Sequence, residues 1–347
     1  MNRTRVITLI GVAVASLLLL ASHLNTSNYN INSSSRSSLL LSDQSPAPHV
    51  DHSGPRAYAT FLSTRITDPN EDDAYFTAAR VLAYQFLRHE STKTNLNIPF
   101  IVLVAPHVTA EKQKILADEG ATVIPVDLLE PDAETNWIRP GEERFIDQFT
   151  KLRLWTLTQY ERILYLDADM LLMKSLDGIW DEPVANQISQ TLPSDIESRY
   201  DDLLPENYTM VGVSDSGAAI HPFPPLMTHQ LNGGFFLMRP SLQLYQYYVK
   251  LLNTPYSFDS GLMEQSLLNL AHNYRSRMPW VHFPPGKWNV NWPSWRDVEG
   301  GAATLHDKFW SAGNAAWIDR RLVEMWWRRQ GEMEGFWAHK KLTANGA

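Results

Sequence analysis

The chain has 347 residues, and its 30 Lys and Arg against 38 Asp and Glu leave a formal charge of −8, which argues against nucleic-acid binding through a sequence-independent basic surface. Apolar residues make up 44% and charged residues 20%, the composition of a folded globular protein rather than a disordered one. Cysteine is absent, so disulfides, thiolate metal centres and cysteine nucleophiles are excluded together.

Arg3 and Arg5 precede an apolar run from Val6 to about Ala21. A positive flank before such a run reads as a cleaved signal peptide or as a signal anchor whose N-terminus stays in the cytoplasm. Ala21-Ser22-His23 offers no clean small-x-small cleavage site, so the expectation is an uncleaved transmembrane anchor over residues 6–22 behind a cytoplasmic tail of residues 1–5. Residues 23–56 are rich in Ser and Asn, contain Pro46 and Pro48, and lack helical or strand periodicity; they read as a disordered stem. Asn25, Asn32 and Asn207 each head an N-glycosylation sequon. Anchor, stem and a folded body of residues 57–347 predict a secretory-pathway protein with the body in the lumen.

Within the body, Ala57 to Leu62 is a short apolar run of strand type. From Asp73 to Arg88, Tyr75, Ala78, Ala79, Leu82, Phe86 and Leu87 recur at helical spacing. Ile98 to Val104 reads as a buried strand. Thr109 is placed to cap a helix running to Asp118, with Gly120 ending it. Ala121 to Val126 predicts a third strand, Arg144 to Tyr160 another helix, and Ile163 to Leu166 a buried strand that runs into Asp167-Ala168-Asp169. Alternating strands and helices predict an α/β fold with a mostly parallel sheet flanked by helices. The tail from Trp317 to Trp337 predicts an amphipathic helix packed on this body.

Ligands of such sheets bind at the carboxyl ends of the strands, and Asp167 and Asp169 sit at one. In extended backbone, residues i and i+2 face the same way, so both carboxylates can reach one ion. The segment Phe149-Thr150-Lys151 through Tyr165-Leu166-Asp167-Ala168-Asp169 resembles the glycogenin-like family 8 glycosyltransferases, which carry a lysine-bearing helix leading into a Tyr-Leu-Asp-Ala-Asp strand end. Asp73-Ala74-Tyr75, Leu231-Asn232-Gly233-Gly234, Phe258-Asp259 with Glu264-Gln265, and Leu305-His306-Asp307-Lys308 resemble further family segments in the same order. The match runs from about Ala57 to Trp310. The sequence departs from the family pattern in having Glu264-Gln265 for Asp-Gln, and His306-Asp307-Lys308 for a longer His-x-x-Gly-x-x-Lys segment.

The resemblance implies a GT-A-type, Rossmann-like domain and transfer of a sugar from a nucleotide-diphospho-sugar, with retention of anomeric configuration. It further implies Mn2+ or Mg2+ held by Asp167, Asp169 and His306. Leu62, Tyr75, Lys151, Asp167, Asn232, Gly233 and Lys308 would bind the donor, with Tyr75 stacking on uracil and Lys308 near the diphosphate. Asp259, Glu264 and Gln265 would serve catalysis, by holding sugar hydroxyls or stabilising positive charge at C1. Retention by two displacements needs a carboxylate nucleophile on the β face; no residue announces itself as one, so a front-face route is the expectation. The donor is expected to be UDP-linked glucose, N-acetylglucosamine or galactose. The expected acceptor is a glycan or glycoprotein, and the expected site a Golgi or other secretory membrane, with the chain in single-pass type II orientation. The alternatives are a mannosyltransferase using GDP-mannose, and a carbohydrate-binding protein with a decayed site. Trp280, Trp288, Trp292, Trp295 and Trp310 crowd one stretch and suit either an acceptor wall or the packing of an irregular loop.

Overall fold

Continuous runs of β-branched and aromatic residues build the centre of the molecule. A computed structural model describes residues 54–132, 137–194, 200–314 and 317–345. The expected anchor, nearly all of the expected stem, and the sequons at Asn25 and Asn32 lie outside these residues. Strand β1 (Arg56–Leu62) is followed by α1 (Ala74–Leu87), β2 (Phe100–Val104), α2 (Ala110–Asp118) and β3 (Thr122–Pro125). Next come β4 (Arg162–Leu166) and β5 (Met170–Leu172), then β6 (Ser189–Gln190), β7 (Asn207–Tyr208), β8 (Met210–Ser214) and β9 (Leu231–Met238). The remainder is α3 (Leu242–Leu252), α4 (Glu264–His272), β10 (Val281–His282), β11 (Asn289–Asn291), α5 (Trp295–Glu299), β12 (Thr304–His306) and α6 (Arg320–Asn345).

The main sheet has seven strands in the order β10-β8-β9-β4-β1-β2-β3. Strands β4, β1, β2 and β3 are parallel, as expected from the βαβ pattern. The sheet is nevertheless mixed: β9 runs antiparallel to both β4 and β8. Every residue of β2, β4 and β9 is buried, the signature of strands covered on both faces. Pro125 ends β3 at the sheet edge, where a missing ladder donor costs nothing. A second, three-stranded sheet β11-β12-β5 pairs Asn291 with His306 and His306 with Met170. It brings the C-terminal histidine segment beside the end of β4.

Helix starts follow local chemistry. Asp73 caps α1 through Phe76 N–H at 3.0 Å, and its other oxygen takes Thr64 Oγ1 and Lys112 Nζ. Tyr75 is thereby fixed at the mouth of the sheet. Thr109 caps α2, and Gly120, with φ of +106°, supplies the backbone freedom that ends it.

The helix expected over 144–160 differs. The chain there forms 3-10 turns at Glu143–Phe145 and Gln148–Thr156. Side chains three apart eclipse in that geometry, so Phe149, Leu152 and Trp155 form one fully buried column. The same tight winding carries Lys151 inward. Helix α6 lies against α1, with Trp326, Met333 and Trp337 buried, as expected for the amphipathic tail. Among the described residues, no helix is long and apolar enough to cross a membrane.

Candidate active site

Strand β4 delivers Asp167 and Asp169 to its carboxyl end, and β12 delivers His306. His306 Nε2 lies 3.0 Å from Asp169 Oδ1 and 3.8 Å from Asp167 Oδ2. One ligand atom from each of the three lies within 4.8 Å of the others. Two carboxylate oxygens and one imidazole nitrogen suit Mn2+ or Mg2+, and three protein ligands leave positions for phosphate oxygens. His306 Nδ1 is buried without a hydrogen-bond partner among the described residues, so no rival contact draws the ring away from the carboxylates. Burial alone would lower the His306 pKa, but Asp169 and Asp167 outweigh it and hold the imidazole above its ordinary value. Asp169 is held well below the ordinary carboxylate range: burial opposes ionisation, and Lys308 and His306 overcome it.

The wall of this site is backbone. A Cβ on Gly234 of β9 would sit 2.4 Å from His306 Cε1 and 2.8 Å from Asp167 Oδ2. Gly233 plays the same part for Gln265, whose Oε1 accepts its N–H at 2.7 Å.

Lys308 Nζ reaches Asp169 Oδ2 at 3.1 Å, so the shortened His-Asp-Lys segment still brings its lysine to the acidic centre. Lys151, expected at the donor diphosphate, is buried and paired with two carboxylates. It is 4% exposed and its Nζ lies 2.7 Å from both Asp167 Oδ1 and Glu264 Oε1. Burial would lower its pKa, yet the two carboxylates raise it, and it remains charged. Tyr165 donates to the same Asp167 oxygen at 2.6 Å. Lys151 therefore fixes Asp167 and compensates Glu264.

Asn232 and Gln265 converge on a residue that sequence reasoning missed. Asp215 Oδ2 accepts from Gln265 Nε2 at 3.1 Å and from Asn232 Nδ2 at 3.5 Å. Its Oδ1 accepts from Asn291 Nδ2 at 2.6 Å and from Gly217 N–H at 3.0 Å. Asp215 directly follows the apolar strand β8, as Asp167 follows β4, and that shared pattern is the signal that points to it. Among the described residues, two of the three non-glycine residues at positive φ border this network: Met263 precedes Glu264-Gln265, and Trp292 follows Asn291. Such strain persists where surroundings over-determine it, often at ligand sites.

Tyr75 is half-buried at the start of α1. Its hydroxyl accepts from Arg144 Nη1 at 2.8 Å, and its ring lies edge-on to Trp310 with centroids 5.3 Å apart. Leu62 ends β1 and is buried, so its backbone rather than its side chain lines the strand end. Asp259 stands outside the network: it is exposed, and its carboxylate caps the short turn Ser260–Leu262 through Gly261 N–H at 2.9 Å. Asn207 lies in β7, half-buried.

Sequence comparisons agree with this geometry. A family model described as glycosyl transferase family 8 matches residues 70–289, more than half of the 347-residue chain. An uncharacterised protein of Schizosaccharomyces pombe is 31% identical over 309 residues, covering 82% of this chain and 81% of that protein. Glycogenin-1 of Mus musculus is 26% identical over 57% of this chain and 47% of its own length. Among solved structures, the galactosyltransferase LgtC, in complex with donor and acceptor sugar analogues, aligns at a TM-score of 0.46 and 16% identity, covering 79% of this chain and 95% of that one. The family match spans both Asp167-Ala168-Asp169 and the Asn232–Gln265 network, and the chain belongs to glycosyl transferase family 8.

Proposed function

We propose that the protein is a metal-dependent, retaining glycosyltransferase that moves glucose, N-acetylglucosamine or galactose from a UDP-linked donor to a glycan or glycoprotein. The observation that carries this reading is the convergence of Asp167, Asp169 and His306 from β4 and β12, with Lys308 on the acidic side and an amide network opposite. A Mn2+ or Mg2+ ion bound there would neutralise charge on the departing diphosphate. Lys308 adds an ammonium group at the same place. Asn232 and Gln265, aligned by Asp215, offer amides for sugar hydroxyls, and Tyr75 offers a ring face for the uracil. The intact ligand set argues against a decayed site.

The carboxylates favour the front-face route. Glu264 is buried and bound to Lys151, Asp215 is saturated by four N–H donors, and Asp259 is exposed and engaged as a cap. None of the three is a free nucleophile. In the front-face route the acceptor oxygen bonds C1 on the face the diphosphate leaves, and a departing phosphate oxygen takes the acceptor proton. Residues 1–56 and the three sequons support a type II protein of a Golgi or other secretory membrane with the catalytic body luminal.

A donor screen tests this function. Full-length protein incubated with UDP- and GDP-sugars, with Mn2+ or with EDTA, should release UDP from one UDP-sugar only when metal is present. Release from GDP-mannose alone, or undiminished release in EDTA, would overturn the reading.

A further inference from the structure

Of the five tryptophans that crowd residues 280–310, the structure separates packing from display. Trp280 and Trp288 are buried, at 7% and 5% exposure, whereas Trp292 is 37% exposed. Trp317, from the start of the C-terminal segment, is 43% exposed and stands beside Trp292, with ring centroids 6.1 Å apart and planes inclined by 54°. The two rings form an open wedge.

The position of Trp292 is unusual for so large a residue. Its φ of +56° lies in the left-handed region, which bulky side chains rarely occupy. Its backbone is held at both ends: its N–H donates to His306 O at 3.2 Å, and His221 Nε2 lies 3.3 Å from its carbonyl oxygen. The strain thus directs an exposed indole from a backbone tied to the proposed metal-binding histidine. The preceding residue, Asn291, donates to Asp215, which aligns Gln265 and Asn232. The wedge therefore borders the point where a sugar held by those amides would meet its acceptor.

We propose that Trp292 and Trp317 form the acceptor subsite and take one pyranose ring of a neutral glycan by stacking. The inference rests on the donor reading given above. A pyranose presents an apolar C–H face to an indole and hydroxyls at its rim, and the wedge offers two exposed indole faces for it. The loop after Asp215 also exposes Ile220, Leu226 and Met227, and its His221 lies against the Trp292 carbonyl.

The strain makes a clean test available. Glycine accepts left-handed backbone without penalty, so Trp292→Gly removes the ring while easing the fold, and Trp317→Ala tests the partner wall independently. Full-length wild type and both variants would be applied to a printed array of mannose-, glucose-, galactose- and N-acetylglucosamine-terminated neutral oligosaccharides. Mn2+-dependent UDP binding would be measured in parallel by calorimetry, and transfer kinetics on the best-bound oligosaccharide would follow. Wild type should bind a subset of the array. Each variant should lose that binding by about tenfold or more, as buried tryptophan anchors do, with a matching rise in acceptor KM and unchanged UDP affinity. Unchanged glycan binding in Trp292→Gly overturns the proposal, as does an equal loss of UDP binding. A wild type that binds UDP with Mn2+ but no oligosaccharide overturns it while leaving the donor reading intact; one that binds neither refutes both.

Discussion

Gly234→Ala perturbs the candidate centre by one methyl group. The added Cβ would sit 2.4 Å from His306 Cε1, where ordinary contact begins at 3.4 Å. The imidazole must therefore move by about 1 Å or β9 must shift, and β9 is paired on both sides by β4 and β8. The ring is the softer element, since its Nδ1 has no hydrogen bond to hold it. Misplacing a reacting group by about 1 Å costs about 100-fold in rate, or about 2.7 kcal/mol of activation free energy. Overpacking a dense core costs about 1–3 kcal/mol of stability. The expected outcome is a 100-fold or greater fall in metal-dependent kcat/KM, with a lowered but cooperative melting transition. Gly335→Ala on α6 is the control: no atom lies within 4 Å of its new Cβ, and helix propensity should raise stability by about 0.5–1 kcal/mol without changing kinetics. Wild-type kcat/KM in Gly234→Ala would refute the placement of His306 against β9.

Three further outcomes follow from the same geometry. Asp169→Asn should abolish turnover while preserving the circular dichroism spectrum; retained turnover would remove Asp169 from the centre. Lys151→Met leaves Glu264 buried without its ammonium partner and should cost about 3–5 kcal/mol in denaturant unfolding, with Lys151→Met/Glu264→Gln recovering part of the loss; no recovery would mean the pair is not coupled. His272 is buried, its Nδ1 2.7 Å from Met278 O and its Nε2 2.5 Å from Tyr248 Oη, and burial lowers its pKa from 6.5 to about 4. Below pH 6.5 the unfolded chain takes a proton that the folded chain refuses. Stability from this group is therefore fully present above pH 6.5 and falls by about 3 kcal/mol as pH drops to about 4. His272→Gln should flatten the difference in melting temperature across that window, and identical pH profiles would show that His272 does not govern it.

Much of the centre was legible because it is written locally. Strands β1, β2 and β4 are uninterrupted apolar runs, and a carboxylate pair closing such a run has few other uses. The Thr109 cap and Gly120 stop were readable for the same reason. The direction of β9 was not, since Leu231 to Met238 is buried on both faces and carries no alternation; only the order of strands sets it antiparallel. The column Phe149, Leu152, Trp155 fits a period of 3 as well as 3.6, so the sequence could not separate a 3-10 turn from an α-helix. The pairing of Lys151 with Glu264 could not be read locally, because the two lie 113 residues apart. Asp215 was missed because its meaning comes from Asn232, Gln265 and Asn291, which only the folded sheet assembles.

The proposed transfer depends most directly on a metal ion at Asp167, Asp169 and His306. Mn2+ titration of the full-length protein in the presence of UDP, followed by electron paramagnetic resonance, measures it. Wild type should bind one Mn2+ per chain, and Asp169→Asn and His306→Gln none at the same concentrations. Stoichiometric Mn2+ binding that survives both substitutions would contradict this assignment.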